Sequence, residues 1–273
     1  MSSIAIIGAG KWGSALYHAL NTKNTCFISS PTPREMPHFI PIKEALKCDY
    51  LIFALSAQAL HTWLKTHFKN QNAKVLIASK GIEARTGLFL DEIFMEFLDE
   101  SQICVLSGPS FAAEVEKHLP TALMINGKNL ALCKEFANFF PDFIKTYIDD
   151  DVRGAEICGA YKNVLAIASG ICDGLKLGNN ARASLISRGL IEMHRFGKFF
   201  QAKEETFLGL SGAGDLFLTA SSVLSRNYRV GLMLAQGKNL REILQTLGEV
   251  VSILQGESVR NSVEKLLKQK DWI

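Results

Sequence analysis

Three glycines near the start of the chain fall in the spacing GxGxxG, in Gly8-Ala9-Gly10-Lys11-Trp12-Gly13. They stand between the apolar run Ile4–Ile7 and a helix-like stretch, Ser14–Leu20. The three meet different needs, namely a tight turn, room for a pyrophosphate, and close packing of helix on strand. The unpaired N–H groups of the helix start can donate to phosphate oxygens. The loop, with Lys11 and Trp12 inside it, therefore reads as a dinucleotide site. An acidic residue about 20 positions further on usually holds the ribose hydroxyls of NAD. Here Ile28-Ser29-Ser30 occupy that place, and no Asp or Glu occurs before Glu35. Arg34, with Ser29 and Ser30, predicts a preference for the 2′-phosphorylated cofactor, NADP, over NAD.

A second set of residues suits carbonyl reduction. Lys162 is the only charged residue between Ile157 and Cys172. Its neighbours are apolar or small, so the helix should be buried on most faces. A charged amine there is costly without a partner, and desolvation favours its neutral form. A lysine poised in this way can pass a proton to a carbonyl oxygen as the carbon receives hydride. The alternative is a packed stem with the amine snorkelling to solvent. Asp215, in Gly212-Ala213-Gly214-Asp215, either orients Lys162, binds substrate hydroxyls, or caps a helix. Lys80, in Ser79-Lys80-Gly81, ends the fourth strand, where ligands of open parallel sheets bind; the bland alternative is a solvated loop lysine. Gly108-Pro109-Ser110 ends the fifth strand. Gly108 admits a close backbone approach and Ser110 offers a hydroxyl, or the trio is a plain turn into a helix beginning at Phe111. Ser225-Arg226-Asn227 offers a hydroxyl, a fork of donors and an amide at a helix start, which suits a phosphate dianion. The competing view is a capping serine with exposed neighbours.

The elements that must position these groups divide the chain in two. Short apolar runs at Ile4–Ile7, Thr25–Ile28, Tyr50–Leu55, Lys74–Ala78, Ile103–Leu106, Thr121–Ile125 and Phe143–Ile148 alternate with helical periodicity. That is the pattern of a doubly wound parallel sheet covered on both faces, a Rossmann-like α/β fold. Past Asp149-Asp150-Asp151 the pattern is helical throughout, over 152–174, 180–200, 212–224, 226–236, 239–247 and 257–269. The expected organisation is a dinucleotide-binding domain over 1–150 and an all-helical substrate domain over 151–273.

Composition narrows the partners. The chain has 273 residues, 48% of them hydrophobic, and a formal charge of only +3. A balanced charge without a basic stripe excludes a nucleic-acid binder. No apolar run reaches the roughly 20 residues of a membrane span, and the first ten residues lack the basic start of a signal peptide. The six cysteines form no CxxC pair, and neither Cys/His ligand spacing nor HExxH is present, so reduced thiols in a cytoplasmic protein without a metal site are expected. The expected partner is a phosphorylated small molecule. A homodimer is compatible with the sequence, which does not itself give the oligomeric state.

Several blocks together resemble the NAD(P)-dependent glycerol-3-phosphate dehydrogenases of the bacterial type. They are GAGKWGSAL (8–16), SKG (79–81), SGPSFAAEV (107–115), GAYKNVLAIA (159–168), NARASLISRGLIE (180–192), GLSGAGDLFLT (209–219) and SRN (225–227). The resemblance implies reversible reduction of dihydroxyacetone phosphate to sn-glycerol 3-phosphate, feeding glycerophospholipid synthesis. It implies that Lys162 is the acid/base catalyst and that Lys80, Gly108, Ser110, Asp215, Ser225, Arg226 and Asn227 contact substrate. It also implies cofactor contacts at Gly8, Gly10, Gly13, Lys80, Ala112, Arg226 and Glu257. The family's aromatic–glycine–basic signature after the second strand is missing here. The rival readings are a related hydroxyacid dehydrogenase acting on another carbonyl and a non-catalytic NADPH-binding regulator.

Overall fold

The computed structural model describes residues 3–247. These form two compact units. One runs up to Lys80 and resumes over Phe89–Val152; the other takes Gly81–Leu88 and the chain from Arg153 onward. A boundary drawn at residue 150 from composition does not register the short Gly81–Leu88 excursion, because nothing in those eight residues differs in character from an ordinary loop.

The first unit is a seven-stranded sheet in the order β2-β1-β3-β4-β5-β6-β7. The strands are β1 Ile4–Ile7, β2 Cys26–Ser29, β3 Tyr50–Phe53, β4 Lys74–Ile77, β5 Ile103–Ser107, β6 Thr121–Asn126 and β7 Ile144–Asp149. Helices α1 Lys11–Asn21, α2 Ile42–Ala45, α3 Ala57–His67, α4 Leu90–Met95, α5 Ala112–Val115 and α6 Leu130–Ala137 link them. Every residue of β1 and β3 is buried, as expected of central strands covered on both faces. Ile4, Ile6, Tyr50, Ile52 and Leu76 join one core with Leu16, Leu20 and Phe136. The alternate residue Phe53 points the other way and meets Trp63, Phe68 and Phe94 edge to face.

The sheet departs from the all-parallel expectation at one place: β6 runs antiparallel to β5, while β7 returns parallel to β6. The link from β5 to β6 holds a single helical turn, Ala112–Val115. A parallel pair needs a longer crossover to carry the chain back across a face, so here the chain turns back along its neighbour. The strand order reverses at β1, with β2 added on one side of it and β3 on the other, which creates the switch point at which open α/β sheets bind ligands.

The second unit is helical among the described residues: α7 Val152–Gly174, α8 Asn179–Lys198, α9 Glu204–Leu208, α10 Asp215–Ala220, α11 Arg226–Ala235 and α12 Leu240–Leu247. Only Val164 of α7 is exposed, in keeping with its nearly uniform apolar sequence. The expected helix over 212–224 is instead a wide turn followed by the short α10. The turn closes with Gly214 N–H donating to Gly209 C=O at 3.1 Å. Gly209, Gly212 and Gly214 weaken an ordinary helix, and the tight packing needs one of them: a Cβ on Gly212 would lie 2.1 Å from the Phe207 carbonyl oxygen. No described helix is long and apolar enough to cross a membrane. The segment 257–269 lies outside the described residues.

Candidate active site

In the first unit the loop after β1 is built around two glycines that tolerate nothing larger. Gly8 has φ +120°, and a Cβ on it would meet the Ala54 carbonyl oxygen at 2.6 Å. A Cβ on Gly13 would stand 1.8 Å from the Gly8 carbonyl oxygen, so this glycine seats α1 on the strand. Gly10 differs: a Cβ there would touch no atom of the described residues within 4 Å. Its lack of a side chain is not demanded by packing, which fits a position kept bare for a ligand's pyrophosphate. Gly10 also caps α1 without a side-chain hydrogen bond, leaving the first-turn N–H groups of the helix to a ligand. Trp12 Nε1 donates to the Ala78 carbonyl at 3.1 Å and ties the loop to the end of β4. Lys11 is exposed. The donor set and the bare Gly10 together fit a dinucleotide.

The carboxyl ends of β4 and β5 converge beside this loop's sheet edge. Lys80 Nζ donates to the Gly108 carbonyl at 3.1 Å, and Ser110 Oγ donates to the same oxygen at 3.3 Å. Gly108 holds φ +103°, which places its carbonyl where both can reach it. Ala112 opens α5 half-buried, packed against the sheet core.

At the adenosine end the structure separates the three residues grouped by sequence. Ser29 is fully buried and donates to the Ile40 carbonyl at 2.7 Å. The proline-punctuated loop folds back on β2, with Ile40 N–H bonded to Ile28 C=O and a bridge from Ile28 to Phe39. That internal bond uses the proton Ser29 would have offered a cofactor. Ser30 donates to the Thr32 carbonyl at 2.5 Å, and Arg34 is exposed.

In the second unit Lys162 is 8% exposed and Asp215 is 1% exposed. Their Nζ and Oδ1 atoms stand 2.5 Å apart. The carboxylate supplies the counter-charge that a buried ammonium requires. Asp215 does not cap α10: Gly214 occupies the cap position, and no side-chain cap bond forms. The wide turn before it sets the carboxylate against α7 instead. Thr219, one turn along α10, places Oγ1 3.2 Å from Nζ and 3.4 Å from Asp215 Oδ1. The sequence reading missed Thr219, although the i,i+4 spacing from Asp215 marks it as sharing that face.

Ser225 caps α11, its Oγ accepting the Tyr228 N–H at 3.2 Å. Arg226 is half-buried in the first turn. Asn227 is buried, and its Nδ2 donates to Asn163 Oδ1 at 2.7 Å. Asn163, the residue after Lys162, is a second omission of the sequence reading. Its amide donates to the Gly159 carbonyl, and Asn227 Oδ1 is buried without a partner among the described residues. The structure thus gathers Lys162, Asn163, Asp215, Thr219 and Asn227 around the middle of α7. Glu257 lies outside the described residues.

The chain is similar to known proteins over nearly its whole length. Residues 151–272 match the family model for the NAD-dependent glycerol-3-phosphate dehydrogenase C-terminus, and residues 29–133 match the model for the N-terminus of the same family. The chain is 70% identical over 267 residues to the glycerol-3-phosphate dehydrogenase [NAD(P)+] of Campylobacter jejuni subsp. doylei, covering 98% of this chain and 89% of that one. It is 56% identical to the enzyme of the same description from Sulfurimonas denitrificans, over 99% of this chain and 90% of the other. The fold is similar to the crystal structure of glycerol-3-phosphate dehydrogenase from Coxiella burnetii, with a TM-score of 0.88 at 32% identity over 99% of this chain and 90% of that one.

Proposed function

The chain belongs to the NAD-dependent glycerol-3-phosphate dehydrogenase family, and from that premise we propose that Lys162 is the proton donor in its reduction of dihydroxyacetone phosphate to sn-glycerol 3-phosphate. Bound NAD(P)H supplies the hydride to the ketone carbon. As the C=O bond opens, the oxygen takes a proton from the Lys162 ammonium, and the amine is re-protonated from water. In the reverse direction the neutral amine removes the hydroxyl proton as hydride leaves.

The observation that carries this reading is the buried contact of Lys162 with Asp215 at 2.5 Å. A long, flexible side chain is a poor acid unless its amine is held. Asp215 and Thr219 together fix where Nζ sits, and low exposure strengthens its field at a developing oxyanion. Arg226, with Ser225 and the first-turn N–H groups of α11, takes the substrate phosphate. Asn227 Oδ1 accepts from a substrate hydroxyl. Within the first unit, Lys80, Gly108 and Ser110 are assigned to substrate contact and the Gly8–Gly13 loop with Ala112 to the cofactor.

NADP is preferred over NAD in this reading because no Asp or Glu occurs before Glu35 to take the ribose hydroxyls, and Arg34, with Ser30, is proposed to receive the 2′-phosphate. The enzyme works in the cytoplasm, where its reduced thiols persist, and its product enters glycerophospholipid synthesis. One assay tests the whole: oxidation of NADPH and NADH, each with dihydroxyacetone phosphate and with unphosphorylated dihydroxyacetone. Turnover should require the phosphate and favour NADPH. Equal turnover of the two ketones would remove the phosphate clamp from the account.

A further inference from the structure

Helices α7 and α11 meet at glycines. A Cβ on Gly170 would lie 2.0 Å from the Tyr228 carbonyl oxygen, and one on Gly231 would lie 2.0 Å from the Ile167 carbonyl oxygen. Backbone therefore touches backbone. Such a contact fixes the separation of two helices, while resistance to rotation and sliding comes from the side chains around it, among them Ile167 packed on the cluster of Val230, Met233 and Ile243. Polar bonds on either side of the contact add directional resistance that apolar packing does not give. On one side Asn227 bonds Asn163. On the other, the buried Tyr228 hydroxyl donates to Asp173 Oδ2, and Arg182 Nη1 holds the same oxygen at 2.6 Å. Arg182 is itself steadied by Asn179 Oδ1 at 3.0 Å. Asp173 belongs to the last turn of α7, the helix that carries Lys162. Tyr228 follows directly on the trio Ser225-Arg226-Asn227.

We propose that Tyr228, Asp173 and Arg182 form a positioning device for the substrate's phosphate: they fix the rotation of α11 on α7 and so hold Arg226 in register with Lys162. None of the three touches substrate in this account; each acts through α11. The inference rests on the reading that Ser225-Arg226-Asn227 binds phosphate, and the test separates the two.

Steady-state constants are measured for Tyr228→Phe, Asp173→Asn, Arg226→Ala and the Arg226→Ala/Tyr228→Phe double variant, with the melting temperature of each. Tyr228→Phe keeps the ring and removes one hydroxyl. It should raise KM for dihydroxyacetone phosphate about ten-fold, the weight of one hydrogen bond to a charged group. KM for NADPH and kcat should stay within about two-fold. Asp173→Asn should behave alike, which keeps the test open should Tyr228→Phe fold poorly. The double variant should be no worse than Arg226→Ala alone, since a positioning group has nothing left to position. A raised KM in Arg226→Ala with no change in Tyr228→Phe or Asp173→Asn would overturn the positioning role and leave the clamp intact. An unchanged KM in Arg226→Ala would overturn the clamp and this inference with it. A uniform loss of melting temperature, kcat and both KM values would reduce the three residues to ordinary structural support and overturn the proposal.

Discussion

Lys162 and Asp215 lie 53 positions apart in sequence, yet their side chains meet at 2.5 Å with almost no exposure to water. Neither residue would be stable there alone. Removing one member of a buried pair leaves an uncompensated charge, at a cost of about 3–5 kcal/mol. The contact therefore closes the core of the second unit, and on the proposed mechanism it also fixes the acting amine.

Lys162→Ala and Asp215→Asn should consequently fail in different ways. Without the amine, kcat should fall by about 10²–10⁴-fold, the usual worth of general acid catalysis. Cofactor affinity, followed by NADPH fluorescence, should hold. Asp215→Asn keeps the amine but removes its counter-charge, so it should lower both kcat and the urea midpoint. A Lys162→Ala enzyme with near-normal turnover would end the assignment, whatever its stability.

The glycines of the first loop make a second contrast. Gly13→Ala drives a methyl group into the Gly8 carbonyl and should destabilise the protein by about 1–3 kcal/mol, as overpacking does. Gly10→Ala meets no atom of the described residues within 4 Å and should cost under about 1 kcal/mol, the small loss of a poorer cap. Its KM for NADPH should nevertheless rise at least about ten-fold if, as proposed, the pyrophosphate passes over Gly10. Denaturation curves and cofactor titrations on the two variants separate fold from ligand. If Gly10→Ala binds cofactor normally, the loop does not hold the pyrophosphate.

Much of this was legible in the order of residues. The glycine loop could be read because its constraints are local: a strand, a turn and a helix start fit within ten residues. The burial of α7 was legible from a single charge in a long apolar stretch. The partner of that charge was not, since which carboxylate meets Lys162 depends on the wide turn Leu210–Gly214 and on how α10 packs. Thr219 and Asn163 escaped notice for the same reason. They matter only once Asp215 and Asn227 are known to face α7. Ser29 was misjudged because nothing in Ile28-Ser29-Ser30 reveals that the loop after it folds back and claims its hydroxyl through Ile40. The reversal of β6 was likewise hidden, because an apolar strand reads the same in either direction.

With Ser29 committed to Ile40, the proposed preference for NADP leaves Arg34 as the group to test. Arg34→Ala should raise KM for NADPH about ten-fold, the order of one charge-assisted hydrogen bond, and leave KM for NADH within about two-fold. The effect should shrink as salt is raised, because the guanidinium is exposed and screened. Equal changes in both constants would show that the arginine supports the loop and not the 2′-phosphate.

Acid sensitivity should trace in part to Glu135. Its carboxylate accepts from Lys74 Nζ at 2.5 Å and from the Tyr50 hydroxyl at 2.7 Å. These bonds, Lys74 first, hold its pKa below the ordinary carboxylate value. A group depressed on folding binds fewer protons in the native state than in the unfolded one. Stability therefore rises with pH across the interval between the two values. The contribution is complete above the unfolded value of about 4.3 and disappears as pH falls through the folded one. Because the side chain is nearly half exposed, water screens the pair, and the gain should stay under about 1 kcal/mol. Urea unfolding of the wild type and Glu135→Gln at pH 7, 4 and 3 provides the check. The two proteins should differ most at pH 7 and converge in acid. A gap that keeps the same size at all three pH values would mean that the glutamine alters packing, and that the bonds to Lys74 and Tyr50 carry no pH dependence of their own.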